Sequence, residues 1–171
     1  MILELIVVLG YLVLGITVLT FTFQNVPYDR IFIGVLITAT GMLSLTDFFT
    51  WKFATRMRSL QTLIASVATI IFGFIVILIN INAKTMCILW GAFSIGYSLA
   101  RTATATVNLV YQPLINSVRI ILAVIEIIFS IILMIRTSNY LNSFIIFMGV
   151  VLVVEAGVLF VEFMIHRYQR I

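Results

Sequence analysis

The stretch VVLVVEAGVLFVEFMIHR, residues 150–167, decides how the chain is read. It is a run of valine, leucine and phenylalanine interrupted by Glu155 and Glu162 and closed by His166 and Arg167. In water the two acids would simply be solvated. In hydrocarbon a charge near the bilayer centre costs about 2.5–3.5 kcal/mol on insertion scales, so each acid needs a partner or a proton. Composition decides between the two solvents. Of 171 residues 63% are hydrophobic and 9% are charged, whereas a soluble domain covers its surface with roughly 25% charged residues. The chain therefore reads as a single all-α membrane domain whose main partner is the lipid bilayer.

Six segments approach the ~20 apolar residues that a spanning helix needs: 2–23, 31–50, 60–81, 85–105, 118–135 and 141–165. Polar breaks separate them: QNVPYDR, WKFATRMRS, NINAK, RTATATVNLVYQPLINS and RTSN. The first segment has no basic leader, its apolar run is too long for a signal peptide and no A-x-A site follows, so it is read as a span. Backbone groups in hydrocarbon must be satisfied within the segment, and the helical spacing of the polar residues favours helices over a barrel. Beside the spans, Lys52, Arg56, Arg58, Arg101, Arg119, Arg167 and Arg170 fall on one side; Arg30, Lys84 and Arg136 fall on the other. That asymmetry predicts a multi-pass protein with both termini in the cytoplasm. The net charge of +4 is dispersed, which argues against a nucleic-acid partner. The lone Cys87 reads as apolar filler, and neither a metal nor a cofactor is expected.

The chain also repeats, in units of about 1–58, 59–116 and 117–171. Shifts of 58 and then 57 residues align Gly15, Gly73 and Ser130 in the first helix of each unit. The same shifts align Gln24, Asn82 and Asn139 at the turns, and Phe32-x-Gly34 with Trp90-x-Ala92 and Phe147-x-Gly149 in the second helices. Three helical hairpins in one orientation are parallel repeats, related by an axis along the membrane normal. The small residues Gly15, Gly34, Gly73, Ala92, Ser130 and Gly149 are expected at helix contacts, where close backbone approach supplies the packing that lipid does not drive.

These segments resemble the HdeD-like family of small bacterial inner-membrane proteins. LGITVLTFTFQNVP, FGFIVILININAK and FSIILMIRTSN are similar to the first halves of that family's hairpins; IFIGVLITATG, ILWGAFSIG and IFMGVVLVVEAG are similar to the second halves. The turn proline survives only in the first hairpin, and Ser130 stands where the family favours glycine. The resemblance implies a location in the bacterial inner membrane and a role in acid or envelope stress, with no catalytic site.

Each span carries a stripe of polar or small residues at helical spacing, for example Glu4, Tyr11, Gly15 and Thr22 in the first. Asp47, Arg101, Arg119 and Glu162 fall near the cytoplasmic ends and are expected to form an ion-pair ring at headgroup level, with the arginines snorkelling outward. Asp47 and Glu162 align across the repeats, with Ala105 in the second. Glu126 and Glu155 lie deeper. Measured from the RTSN turn their depths differ by about five residues, or ~7 Å, on adjacent helices. Two carboxylates in low dielectric should not both ionise, so the pair is a candidate proton-responsive site. The alternatives are hydrogen bonds to neighbouring helices or pairing with Arg101 or Arg119. His166, Trp51, Tyr97, Tyr111 and Tyr168 are expected at the interface.

No nucleophile elbow, HExxH, phosphate loop or GxGxxG occurs. The first expectation is a non-enzymatic stress-tolerance protein, expected to form a homo-oligomer. The second is a small proton-coupled transporter or channel, and the third a substrate-capture subunit of a vitamin transporter. A closed apolar outer half favours the first, and a polar cavity reaching the midplane favours the second.

Overall fold

The computed structural model describes residues 2–24, 30–52, 60–79, 82–110, 112–136 and 141–168. Expectations for the NVP turn, Arg56, Arg58, Tyr111, Asn139 and Arg170, and for the side chains of Arg30, Trp51, Lys52, His166, Arg167 and Tyr168, lie outside the described residues. The chain forms six helices: α1 Ile2–Phe23, α2 Arg30–Lys52, α3 Leu60–Leu78, α4 Ala83–Val107, α5 Pro113–Ile135 and α6 Leu141–Tyr168. The boundaries follow from local chemistry. Asn82 caps α4 by accepting from the Lys84 amide at 3.3 Å. Pro113 opens α5, where its missing N–H is no loss. This proline moves the start of α5 five residues ahead of the predicted 118, and α4 runs on to Val107, so both ends of the break read as 101–117 are helical.

Four helices contain stretches long and apolar enough to cross a membrane: Ile2–Phe23, Ile31–Phe49, Pro113–Ile135 and Leu141–Ile165. In α3 the apolar stretch is shorter, Thr62–Leu78. In α4 the mean hydropathy falls because its polar residues sit on the inner face. Ser94 and Ser98 are buried while Ile88, Leu89 and Leu99 are exposed.

The bundle as a whole is turned the same way. Leu9, Val13, Ile64, Ile121, Ile128 and Phe160 face outward, whereas Ser66, Ser98, Asn116, Glu126, Ser130 and Glu162 are almost wholly enclosed. Burial in a water-soluble protein runs the other way. An apolar exterior around a polar interior is the arrangement that lipid selects, and with the four long apolar helices it marks a helical membrane protein.

The most extensive helix contacts are α2 with α3, α4 with α5, and α6 with α1; neighbours within the expected hairpins touch less. Small residues make these contacts. A Cβ on Gly34 would stand 3.0 Å from the Gly73 carbonyl oxygen, and one on Gly73 would stand 2.9 Å from that of Gly34. A Cβ on Gly15 would lie 3.0 Å from the Gly149 carbonyl. At the α4–α5 contact the approach is made by Gly91 against the Ser130 carbonyl, at 2.8 Å. Ala92, expected there, is exposed. The contacting face of α4 is therefore one residue earlier than the sequence alignment placed it.

The half of the bundle away from the ends of α2, α4 and α6 is packed with apolar groups. Trp90 meets Phe144 edge to face at 4.9 Å, and Phe129 stacks on Phe147 at 4.6 Å. Ile33, Leu36, Val76, Cys87, Leu133 and Ile145 fill the space around them.

Candidate functional site

The other half holds the charges. Glu155 and Glu162 are seven residues apart on α6, as Arg119 and Glu126 are on α5. Seven residues is nearly two turns, so each pair shares a face at a separation of about 10 Å. With α5 and α6 antiparallel, Arg119 lies level with Glu162 near the end of the bundle, and Glu126 lies deeper. Arg119 donates from Nη1 and Nη2 to the two Glu162 oxygens at 3.0 and 3.3 Å, and from Nε to Glu155 Oε1 at 3.1 Å. Arg101 reaches across from α4, donating from Nη2 to Glu155 Oε2 at 2.8 Å. Its Nη1 stands 3.5 Å from Glu126 Oε2. The result is one chain, Glu126–Arg101–Glu155–Arg119–Glu162, running from mid-bundle to the end.

This arrangement corrects the expected division into an outer ring and a deeper acid pair. Arg101 turns inward between Glu126 and Glu155, and Arg119 is 12% exposed, so neither guanidinium lies out at the surface. A charge-assisted, partly bidentate bond to a buried carboxylate outweighs a solvated position, because either acid left alone would be far more costly. Asp47 is buried against the same space.

All six helices surround a cavity of about 80 Å³; Tyr11, Asp47, Thr62, Arg101, Asn116 and Glu155 each contribute from a different helix. That is room for several waters. Opposite the charged chain, α2, α3 and α4 meet through hydroxyl groups. Ser44 and Ser66 are 2.8 Å apart, Tyr97 donates to Ser44 at 3.3 Å, and Thr62 and Thr104 are 3.1 Å apart. Tyr97 also lies under the Arg101 guanidinium, 5.8 Å from ring centre to Cζ, so it is a cavity residue rather than an interfacial anchor. At its deep end the cavity adjoins a smaller, mainly apolar space of about 30 Å³ bordered by Leu36, Ile37, Trp90 and Phe93. Glu126 borders both spaces.

Asn116 and Asn108 were missed by sequence reasoning, because both fell in the stretch taken for a loop. Asn116 is 1% exposed and donates from Nδ2 to the carbonyls of Asn108 and Gln112, each at 2.9 Å, tying the end of α4 to the start of α5. Pro113 was the available signal: placed at the first helical position, it puts Asn116 inside α5. Asn116 Oδ1 and Glu126 Oε2 are buried acceptors with no hydrogen-bond partner.

Comparison with family models, curated proteins and solved structures yields no match to this chain. The functional reading therefore rests on the geometry above and on the sequence resemblance.

Proposed function

We propose that the protein is a six-crossing bacterial inner-membrane protein with both termini in the cytoplasm, built from three parallel hairpin repeats, and that it contributes to acid or envelope stress tolerance without catalysing a reaction. The repeat reading is supported by three successive interhelical glycine contacts, Gly34–Gly73, Gly91–Ser130 and Gly149–Gly15, spaced at nearly constant intervals along the chain. A shift of 57 and then 58 along the second helices matches Gly34, Gly91 and Gly149, and sets Thr104 rather than Ala105 beside Asp47 and Glu162. On this register the Thr62–Thr104 and Arg119–Glu162 contacts occupy equivalent places in successive repeats.

One observation carries the functional reading: four members of the charged chain, Arg101, Arg119, Glu126 and Glu155, line a cavity with room for several waters, while the other half of the bundle is packed with apolar groups. Such a cluster exchanges protons with one side only, which suits a protein that responds to proton load rather than one that leaks protons. The test is acid survival of a deletion strain complemented with wild type, Glu126→Gln or Glu155→Gln. Wild type restores survival and at least one variant does not; full rescue by both overturns the reading.

The depth of the cavity favours a second reading, a proton-coupled transporter in which the apolar half opens alternately. Solute-dependent proton uptake into proteoliposomes would select it over the first.

A further inference from the structure

The five-membered chain is unevenly satisfied. Glu162 is held by two donors of Arg119, and Glu155 accepts from both arginines. Glu126 is as enclosed as Glu162, each side chain 1% exposed, yet its only ion contact among the described residues is at 3.5 Å. The same guanidinium is committed more closely to Glu155. Glu126 Oε2 makes no hydrogen bond, so it has an open coordination position in the cavity it borders. Asn116 Oδ1, another buried acceptor without a hydrogen-bond partner, borders that cavity nearer the bundle end. Ten residues separate the two along α5, about 15 Å. Both atoms are acceptors, so the group that fits them is a donor. A file of water molecules supplies donors at both ends, and the volume accommodates several.

We infer that Glu126 is the proton-binding site of the protein and that the cavity is its hydrated access from the end where Asn116 lies. The inference rests on the proton-responsive reading above and deepens it by naming the carrier and the route. A hydronium at the rim passes its proton along the waters and leaves one water behind. Glu126 Oε2 forms the O–H bond, and the weak Arg101 Nη1 contact is released, leaving Arg101 wholly to Glu155. Deprotonation reverses each step. The groups facing Glu126 across this space are Tyr11 on α1, Asp47 on α2, Tyr97 and Arg101 on α4, and Glu155 on α6; α3 presents the hydroxyl of Thr62, and Arg119 shares the helix of Glu126. Arg101 is the cation near enough to Glu126 to compete with the proton.

The test is infrared difference spectroscopy of the full-length protein in proteoliposomes, titrated from neutral to acid pH in H₂O and in D₂O. Wild type is expected to show one protonated-carboxyl stretch that grows with acid and shifts in D₂O. That band disappears in Glu126→Gln and persists, displaced, in Glu155→Gln. Ala105→Leu, which adds volume to the cavity wall and leaves every titratable residue in place, keeps the band and slows its exchange into deuterium. A band that survives Glu126→Gln, or no titrating band in wild type, overturns the site. Unslowed exchange in Ala105→Leu overturns the route. Helical circular dichroism and monodisperse elution of each variant separate loss of the band from loss of the fold. If the band belongs to Glu126 but the complemented strain does not depend on it, the site stands and the stress reading fails. If survival depends on the acids while the band lies elsewhere, the reverse holds.

Discussion

Two seams border the same cavity and solve the same problem with different chemistry. Where α2, α3 and α4 meet, hydroxyls join in neutral pairs, Ser44 with Ser66 and Thr62 with Thr104, beside the single carboxylate of Asp47. Along α4, α5 and α6 carboxylates and guanidiniums form one continuous chain. The neutral seam can lose a member cheaply, because a hydroxyl within a helix falls back on its own carbonyl four residues earlier. Thr104 already donates to Ala100 and Ser66 to Thr62 in this way. A carboxylate has no such fallback. The charged seam is therefore the part in which substitutions propagate, and the part where protonation has leverage.

The sharpest way to break this comparison is Arg119→Ala. It takes a hydrogen-bonded guanidinium from two buried carboxylates at once, and removing one partner of a buried ion pair costs about 3–5 kcal/mol. Unfolding in mixed micelles measures it, and a loss below about 1 kcal/mol would make the seam ornamental rather than structural. Next in size is the backbone contact that frames both seams. Gly73→Val drives a side chain into Thr38 and the Gly34 carbonyl, and overpacking of this kind costs about 1–3 kcal/mol. Gly96 is the control, since a Cβ there meets nothing within 4 Å. Gly96→Ala should stabilise the helix by about 0.5–1 kcal/mol through propensity alone. On the neutral seam, Thr62→Val removes the link to Thr104, and interhelical hydrogen bonds in lipid average about 0.6 kcal/mol. A loss as large as that of Arg119→Ala would erase the distinction between the seams.

The all-helical character, the lipid-facing exterior and the inward turn of the polar stripes were legible because each is written in composition and period. The charged residues of the site were legible one by one, for the same reason that they stand out in hydrocarbon. Their wiring was legible only as an alternative: pairing of Glu126 or Glu155 with Arg101 or Arg119 was among the expectations and is what forms, but not which acid meets which arginine. Arg101 looked like a headgroup anchor because depth along a helix gives no rotation toward a particular partner, and a long side chain reaches either way. Which of Glu126 and Glu155 takes the arginine depends on the crossing of α4 over α5 and α6, a tertiary quantity. Asn116 was hidden by a different limit: the helix start at Pro113 was read as loop, so a side chain that lines the cavity was counted among turn residues.

The smallest predicted effect tests the finest of these failures. Sequence alignment set Ala92 opposite Gly34 and Gly149, since Trp90 mimicked the aromatic two residues before a glycine. The helix contact uses Gly91 instead, and Ala92 points outward. A one-residue error on a helix is a rotation of about 100°, enough to exchange a tight interface for acyl chains. Ala92→Leu should then leave stability within about 0.5 kcal/mol of wild type, because lipid accommodates an added apolar side chain. Gly91→Leu, pressed against the Ser130 carbonyl and Met134, should behave like Gly73→Val. If the two costs were reversed, the register 34–92–149 would be the packing register, and Thr104 would lose its place beside Asp47 and Glu162. The neutral and charged seams would then cease to be versions of one another, because Thr62–Thr104 and Arg119–Glu162 occupy matching places only when α4 is turned by that single residue.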